Sequence, residues 1–185
     1  MHLRRPTSPR IQPIEKVAER AREAMKKSPV NAVNVVATLA TAREMNKAWG
    51  GFVQKLLFEA HIPRRQQEIA ILRMGWNCQA VYEFGQHTLF GRDVGLTDDE
   101  IYYTTRPIGQ GGWAPDDAAV LQMVDDIHAD DCVTDATWAE LQAHFTDEQI
   151  IEFIMSAMAY RTVSTLLNTC GVQLDEGVPG WPEKP

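Results

Sequence analysis

From Pro13 to Gly171 the apolar residues return every three or four positions, and no stretch shows the every-second-residue alternation of a half-buried strand. That pattern predicts an all-α chain. Pro13 is placed to open a first helix running to about Lys27, and Ser28-Pro29 breaks it. Val33, Val36 and Leu39, then Met45, Trp49, Phe52 and Leu56, mark two helices separated near Ala40–Arg43. A strand over Val33–Val36 is the alternative, but the run is short and rich in Ala and Asn. Ile62-Pro63 opens a helix carrying Ile69, Leu72 and Met74 and ending at Gly75, and Asn77 is placed to cap the next, about Cys78 to Arg92. Thr97-Asp98-Asp99-Glu100 and Thr146-Asp147-Glu148-Gln149 are capping boxes, and Thr134 caps a helix to about His144. Pro107 to Trp113 reads as a loop, followed by a helix from about Asp116 to Ala129. Residues 64–95 and 147–177 echo one another as two helical hairpins.

A 185-residue chain with 44% apolar and 23% charged residues suits one domain with a real core. We divide it into a flexible arm at 1–12, a helical domain at 13–175 and an extended tail at 176–185. The basic, proline-containing start (Arg4, Arg5, Pro6, Pro9, Arg10) reads as a mobile arm or a strap onto a neighbouring subunit. The net charge of −7 argues against nucleic acid as a partner. No apolar run approaches the ~20 residues that span a bilayer, so no membrane partner is expected. No secretory signal is visible, and three scattered cysteines (Cys78, Cys132, Cys170) form no disulfide framework. Both features suit a cytoplasmic protein. Gly109-Gln110-Gly111-Gly112 lacks the strand–helix context of a phosphate loop.

Chemistry concentrates between Glu68 and His87. About a hairpin pivot at Trp76, Glu68 lies level with residue 84 on the return helix and about one turn from His87, at ~1.5 Å rise per residue. Glu83 and His87 are i, i+4 and share a face. A histidine between two carboxylates can shuttle protons near neutral pH. A glutamate among Trp76, Phe84 and Leu72 would lose solvation and become a better acid–base group. Gly85 leaves room for a ligand or another backbone to approach. The bland alternative is a surface Glu–His pair. A metal is not expected here: Glu68, Glu83 and His87 offer three ligands, but there is no HExxH and no second histidine in register. Cys78 at a helix start would favour thiolate, although buried, inert cysteine is the commoner case. Arg73 and Arg161 read as structural salt-bridge formers, with orientation of an anionic substrate as the alternative role. His2, His61, His128 and His144 show no partner pattern and read as surface or capping residues.

The runs Arg65-x-x-Glu68-Ile-Ala-Ile-Leu-Arg73, Tyr82-Glu83-Phe84-Gly85-Gln86-His87 and Gly95-Leu-Thr-x-x-Glu100-Ile resemble the carboxymuconolactone decarboxylase family, which includes the alkylhydroperoxidase-D-like (AhpD-like) proteins. The resemblance spans about residues 35–175 and is sharpest over 60–101. It implies an all-α fold of paired antiparallel helical hairpins, often assembled as trimers or hexamers. The redox branch carries Cys-x-x-Cys before its histidine. Those positions are Ala80 and Glu83 here, Tyr82 stands where that branch has a histidine, and Cys78 is two positions out of register. Dithiol chemistry needs two thiols that can join, so the decarboxylase-like branch is the closer relative.

The resemblance implies cofactor-free acid–base chemistry on a small anionic lactone or a related carbonyl acid. His87 would transfer the proton, with Glu68 orienting it and Glu83 as second acid–base group. Tyr82, Trp76 and Cys78 would contact substrate. Within the enzyme reading, a decarboxylase or a related lactone hydrolase or isomerase fits; the alternatives are a thiol-dependent peroxidase using Cys78 and a non-catalytic oligomeric scaffold. Self-association as a trimer or hexamer, or as a dimer, is expected from the resemblance and from apolar residues left over by a wholly helical chain.

Overall fold

The computed structural model describes residues 4–26 and 31–184. The expected break at Ser28-Pro29, the end of the first helix at Lys27 and His2 lie outside the described residues. Among the described residues there are nine α-helices and no strands. They are α1 (Glu15–Met25), α2 (Val33–Leu39), α3 (Arg43–Glu59), α4 (Arg64–Asn77), α5 (Val81–Asp93), α6 (Asp98–Tyr103), α7 (Pro115–Asp130), α8 (Asp135–His144) and α9 (Asp147–Cys170). Single 3-10 turns at Ala40–Ala42 and Ile108–Gln110 join α2 to α3 and punctuate the loop before α7.

Local chemistry sets several boundaries. Thr97 accepts from the Glu100 amide while Glu100 accepts from Thr97, and Thr146 and Gln149 repeat the exchange at α9. Each reciprocal pair satisfies two amide donors that a helix start leaves over. Gly171 ends α9 in the left-handed region at φ 69°, where its missing Cβ also admits the carbonyl of Ser8.

α4 is the central helix: every residue from Gln67 to Gly75 is buried. A helix covered on all sides has no amphipathic face. Its Ala70, Ile71 and Met74 pack with Val120, Met123 and Val124 of α7 and Ile150, Phe153 and Ala157 of α9. Ile69 and Leu72 pack with Phe84 of α5, Leu96, Ile101 and Leu121. Each such aliphatic side chain contributes about 2 kcal/mol through burial. The polar residues of α4 must then find partners inside the bundle. Gln67 donates to the Leu56 carbonyl at 2.7 Å. Arg73 forks onto both carboxylate oxygens of Asp125 at 2.7 and 2.6 Å, the structural role expected of it. Arg161 likewise pairs with Asp131.

Four expectations need correction. The hairpin turn is Cys78-Gln79-Ala80, with Gln79 in the left-handed region at φ 51°, and not Gly75-Trp76-Asn77. Gly75 stays helical; a Cβ there would meet the Phe84 amide nitrogen at 3.4 Å. Asn77 is not a cap, but donates to Asp125 at 2.7 Å. The echo of two hairpins fails too, because residues 147–170 form one unbroken helix. That helix is also long and apolar enough to cross a membrane by length and composition, against the expectation that no apolar run approaches that length. Here its Ile150, Phe153, Ala157 and Tyr160 are buried in the bundle, while Ile151, Met155, Met158 and Leu166 are exposed.

The described terminal segments, from Arg5 and up to Trp181, fold back on the bundle. Arg5 donates to the Cys78 carbonyl at 2.6 Å, and the Arg10 amide to the Cys170 carbonyl at 2.8 Å, so residues from Arg5 to Arg10 lie against their own chain. After Gly171 the C-terminal segment crosses α5 as a strap. A Cβ on Gly85 would lie 2.2 Å from the Pro179 carbonyl oxygen, so this glycine admits another backbone. Trp181 then packs at 5.2 Å on both Trp76 and Phe84.

Candidate active site

The α4–α5 hairpin brings Glu68, Glu83 and His87 together. Nδ1 of His87 lies 2.6 Å from Glu68 Oε2, and Nε2 lies 3.1 Å from Glu83 Oε1. The i, i+4 register on α5 makes the second contact. The first needs the two helices to face each other across the turn at Gln79. Glu68 is 0% exposed, and Glu83 and His87 are 4% each. These are therefore buried ionisable groups rather than a surface pair.

The electrostatics follow from that enclosure. Burial alone would push the imidazole pKa down. The charge and hydrogen bond of Glu68, and then those of Glu83, outweigh burial and raise it to about 9. With a carboxylate at each ring nitrogen, both nitrogens act as donors, which is the imidazolium form. At neutral pH the site thus stores a proton on His87. Among the described residues Glu68 Oε1 has no hydrogen-bond donor, and the Arg64 guanidinium lies 3.6 Å from it. A buried carboxylate oxygen left so is able to accept from an incoming group.

Two aromatic rings enclose the imidazole. Tyr160 of α9 meets it edge-on with centroids 4.8 Å apart, and Phe90 lies at 5.1 Å. Burial, reinforced by the charges of Glu83 and Glu68, holds the Tyr160 phenol well above its usual pKa, so it remains an O–H donor. Sequence reasoning missed Tyr160 and Arg64. The signal for Tyr160 was its place in the series Phe153, Ala157, Tyr160, the buried face of α9.

The remaining predicted residues lie elsewhere. Tyr82 is turned away from His87: its hydroxyl donates to Asp175 Oδ2 at 2.5 Å and accepts from the Val35 amide at 3.2 Å. It ties the C-terminal strap to α2 and α5. Burial raises the Tyr82 pKa strongly, aided by Asp175. Trp76 packs on Trp181 and belongs to the Leu72–Phe84 cluster. Cys78 stands at the C-terminal end of α4 and not at a helix start, so the expected thiolate stabilisation is missing. Burial instead pushes its thiol pKa up, only partly offset by Arg161 and Arg5. Its sulfur lies 3.7 Å from the Met74 sulfur and 3.8 Å from His128 Nδ1. All three cysteines are free thiols. His61, read as lacking a partner, pairs with Glu152 at 3.1 Å.

Comparison with solved structures places this geometry in a known fold. A peroxidase-related protein with the alkylhydroperoxidase AhpD core, from Ralstonia eutropha JMP134, superposes with a TM-score of 0.74 at 18% identity, over 95% of each chain. The chain has the AhpD-like all-α fold. A peroxidase-related protein from Silicibacter sp. TM1040 gives a TM-score of 0.74 at 11% identity, covering 96% of this chain and 95% of the other. The debrominase Bmp8, as a Cys→Ala variant with 2,3,4-tribromopyrrole, also gives 0.74 at 11% identity, covering 92% and 94%. The AhpD-like neighbours thus include an enzyme. No protein-family profile and no curated protein matches the chain in sequence.

Proposed function

We propose that this chain is a cofactor-free acid–base enzyme of the carboxymuconolactone decarboxylase branch, acting on a small anionic lactone or a related carbonyl acid. The observation that carries the reading is the buried Glu68–His87–Glu83 relay with its proton held on His87. In decarboxylation the bond to the carboxylate carbon breaks and CO₂ leaves. The electron pair stays behind as an enolate conjugated with the lactone carbonyl. His87 delivers its proton to the enolate carbon, Glu68 fixes the ring through Nδ1, and Glu83 helps reload Nε2. Tyr160, whose ring meets His87 at 4.8 Å and whose phenol stays protonated, would donate to the developing enolate oxygen. Because the relay is closed to water, neighbouring side chains must move to admit the substrate. Turnover in D₂O tests the protonation step. The product should carry one deuterium at the carbon that lost CO₂, and a product without it would remove His87 from that role.

A second reading is supported by the peroxidase-related neighbours and by the contact between Cys78 and His128 at 3.8 Å. It makes the chain a thiol-dependent peroxidase. The raised thiol pKa counts against it, because the thiolate is the nucleophile. Thiol titration before and after peroxide separates the two: consumption of Cys78 would favour the peroxidase.

A further inference from the structure

We propose that His61, Glu148 and Glu152 form a surface site for a divalent transition-metal ion, with zinc the best fit to the donor set. The site shares no residue with the acid–base relay. His61 lies in the link between α3 and α4, and Glu148 and Glu152 stand one turn apart at the start of α9. One ligand atom from each lies within 4.8 Å of the other two. Nδ1 of His61 is 3.1 Å from Glu152 Oε1 and 3.7 Å from Glu148 Oε1. Around zinc with ligands at ~2.0–2.1 Å, adjacent corners of a tetrahedron are ~3.4 Å apart. The two spacings bracket that value.

The ligands are held in place before any ion arrives. The His61 amide donates to Glu152 Oε2 at 2.6 Å, and Gln149 donates to the His61 carbonyl at 3.1 Å. Gln149 is itself fixed by the capping box of α9. Loop and helix are thus braced together, which lowers the ordering cost of binding. The His61 and Glu148 side chains are 67% and 70% exposed, leaving the outer face open for a water as fourth ligand. Lys55, which borders the same groove, pairs with Glu59 at 3.7 Å, which offsets its charge. One imidazole with two carboxylates suits zinc better than magnesium or calcium, which prefer oxygen alone.

The rival is a plain ion pair between His61 and the two glutamates. Calorimetric titration of the chelator-stripped full chain with zinc chloride at neutral pH distinguishes them. The wild type should take up one zinc that His61→Ala abolishes. Glu148→Gln should weaken binding at least ~10-fold, with both variants keeping the wild-type circular dichroism. Absence of uptake by the wild type overturns the proposal. So does uptake that both variants retain, since that assigns the ion to the cysteines or another group. If His61→Ala fails to fold, Glu148→Gln decides, because that side chain lies at the surface.

Discussion

Alkaline pH should remove a calculable share of this fold's stability. His87 titrates at about 9 in the folded chain against 6.5 for a solvated imidazole. That gap of ~2.5 pH units, at about 1.4 kcal/mol per unit, corresponds to about 3 kcal/mol. Because the folded value is raised, the contribution is fully present below about pH 6.5. It is lost as pH climbs through about 9. The cause is physical: an imidazolium between Glu68 and Glu83 is held by two charges, and a neutral ring leaves the carboxylates facing each other in a dry site. Against a typical total of about 5–15 kcal/mol, the loss is large. Urea unfolding of the wild type and of His87→Gln, followed from pH ~6 to ~10, reads it directly. Glutamine keeps a donor but does not titrate, so groups remote from the Glu68–His87–Glu83 cluster cancel in the difference. The wild type should lose about 3 kcal/mol relative to the variant across that window. A flat difference, or an imidazole NMR midpoint at or below 6.5, would refute the reasoning.

Other perturbations probe the strap and the thiol. Gly85→Ala should lift the C-terminal strap, since the new methyl would fall 2.2 Å from the Pro179 oxygen. We expect a loss of about 1–3 kcal/mol and a red shift of Trp181 emission; an unchanged spectrum would mean the strap does not depend on Gly85. Tyr82→Phe removes the donor to Asp175 and should cost about 1–2 kcal/mol in a thermal melt, with turnover retained. Cys78→Ser should leave CO₂ release intact under the acid–base reading, and loss of turnover on that change would point to thiol chemistry.

What the sequence discloses is governed by range. The capping boxes at Thr97 and Thr146 were legible because their partners lie three residues away. Glu83 and His87 share a helix, and Glu68 lies one tight turn upstream, so their meeting followed from hairpin geometry. The turn itself was misplaced. Gly75 and Asn77 look like breakers, yet Gly75 remains helical beside the Phe84 backbone and the left-handed residue is Gln79. The resemblance implies that Tyr82 contacts substrate. Its direction is set by Asp175, a residue 93 positions away in a segment without periodicity. Tyr160 reaches His87 from α9, and no local pattern reports which distant helix covers a given face. His61 and Glu152 meet across 91 positions for the same reason.

The central claim is that a proton held on His87 performs the chemistry. A panel of carboxylated lactones, assayed for CO₂ release with the wild type and with His87→Gln, tests it most directly. The account predicts release by the wild type from at least one of them, and a drop of about 100-fold or more in the variant, whose helical spectrum is retained. Equal release by both chains, or none by the wild type across the panel, would contradict it.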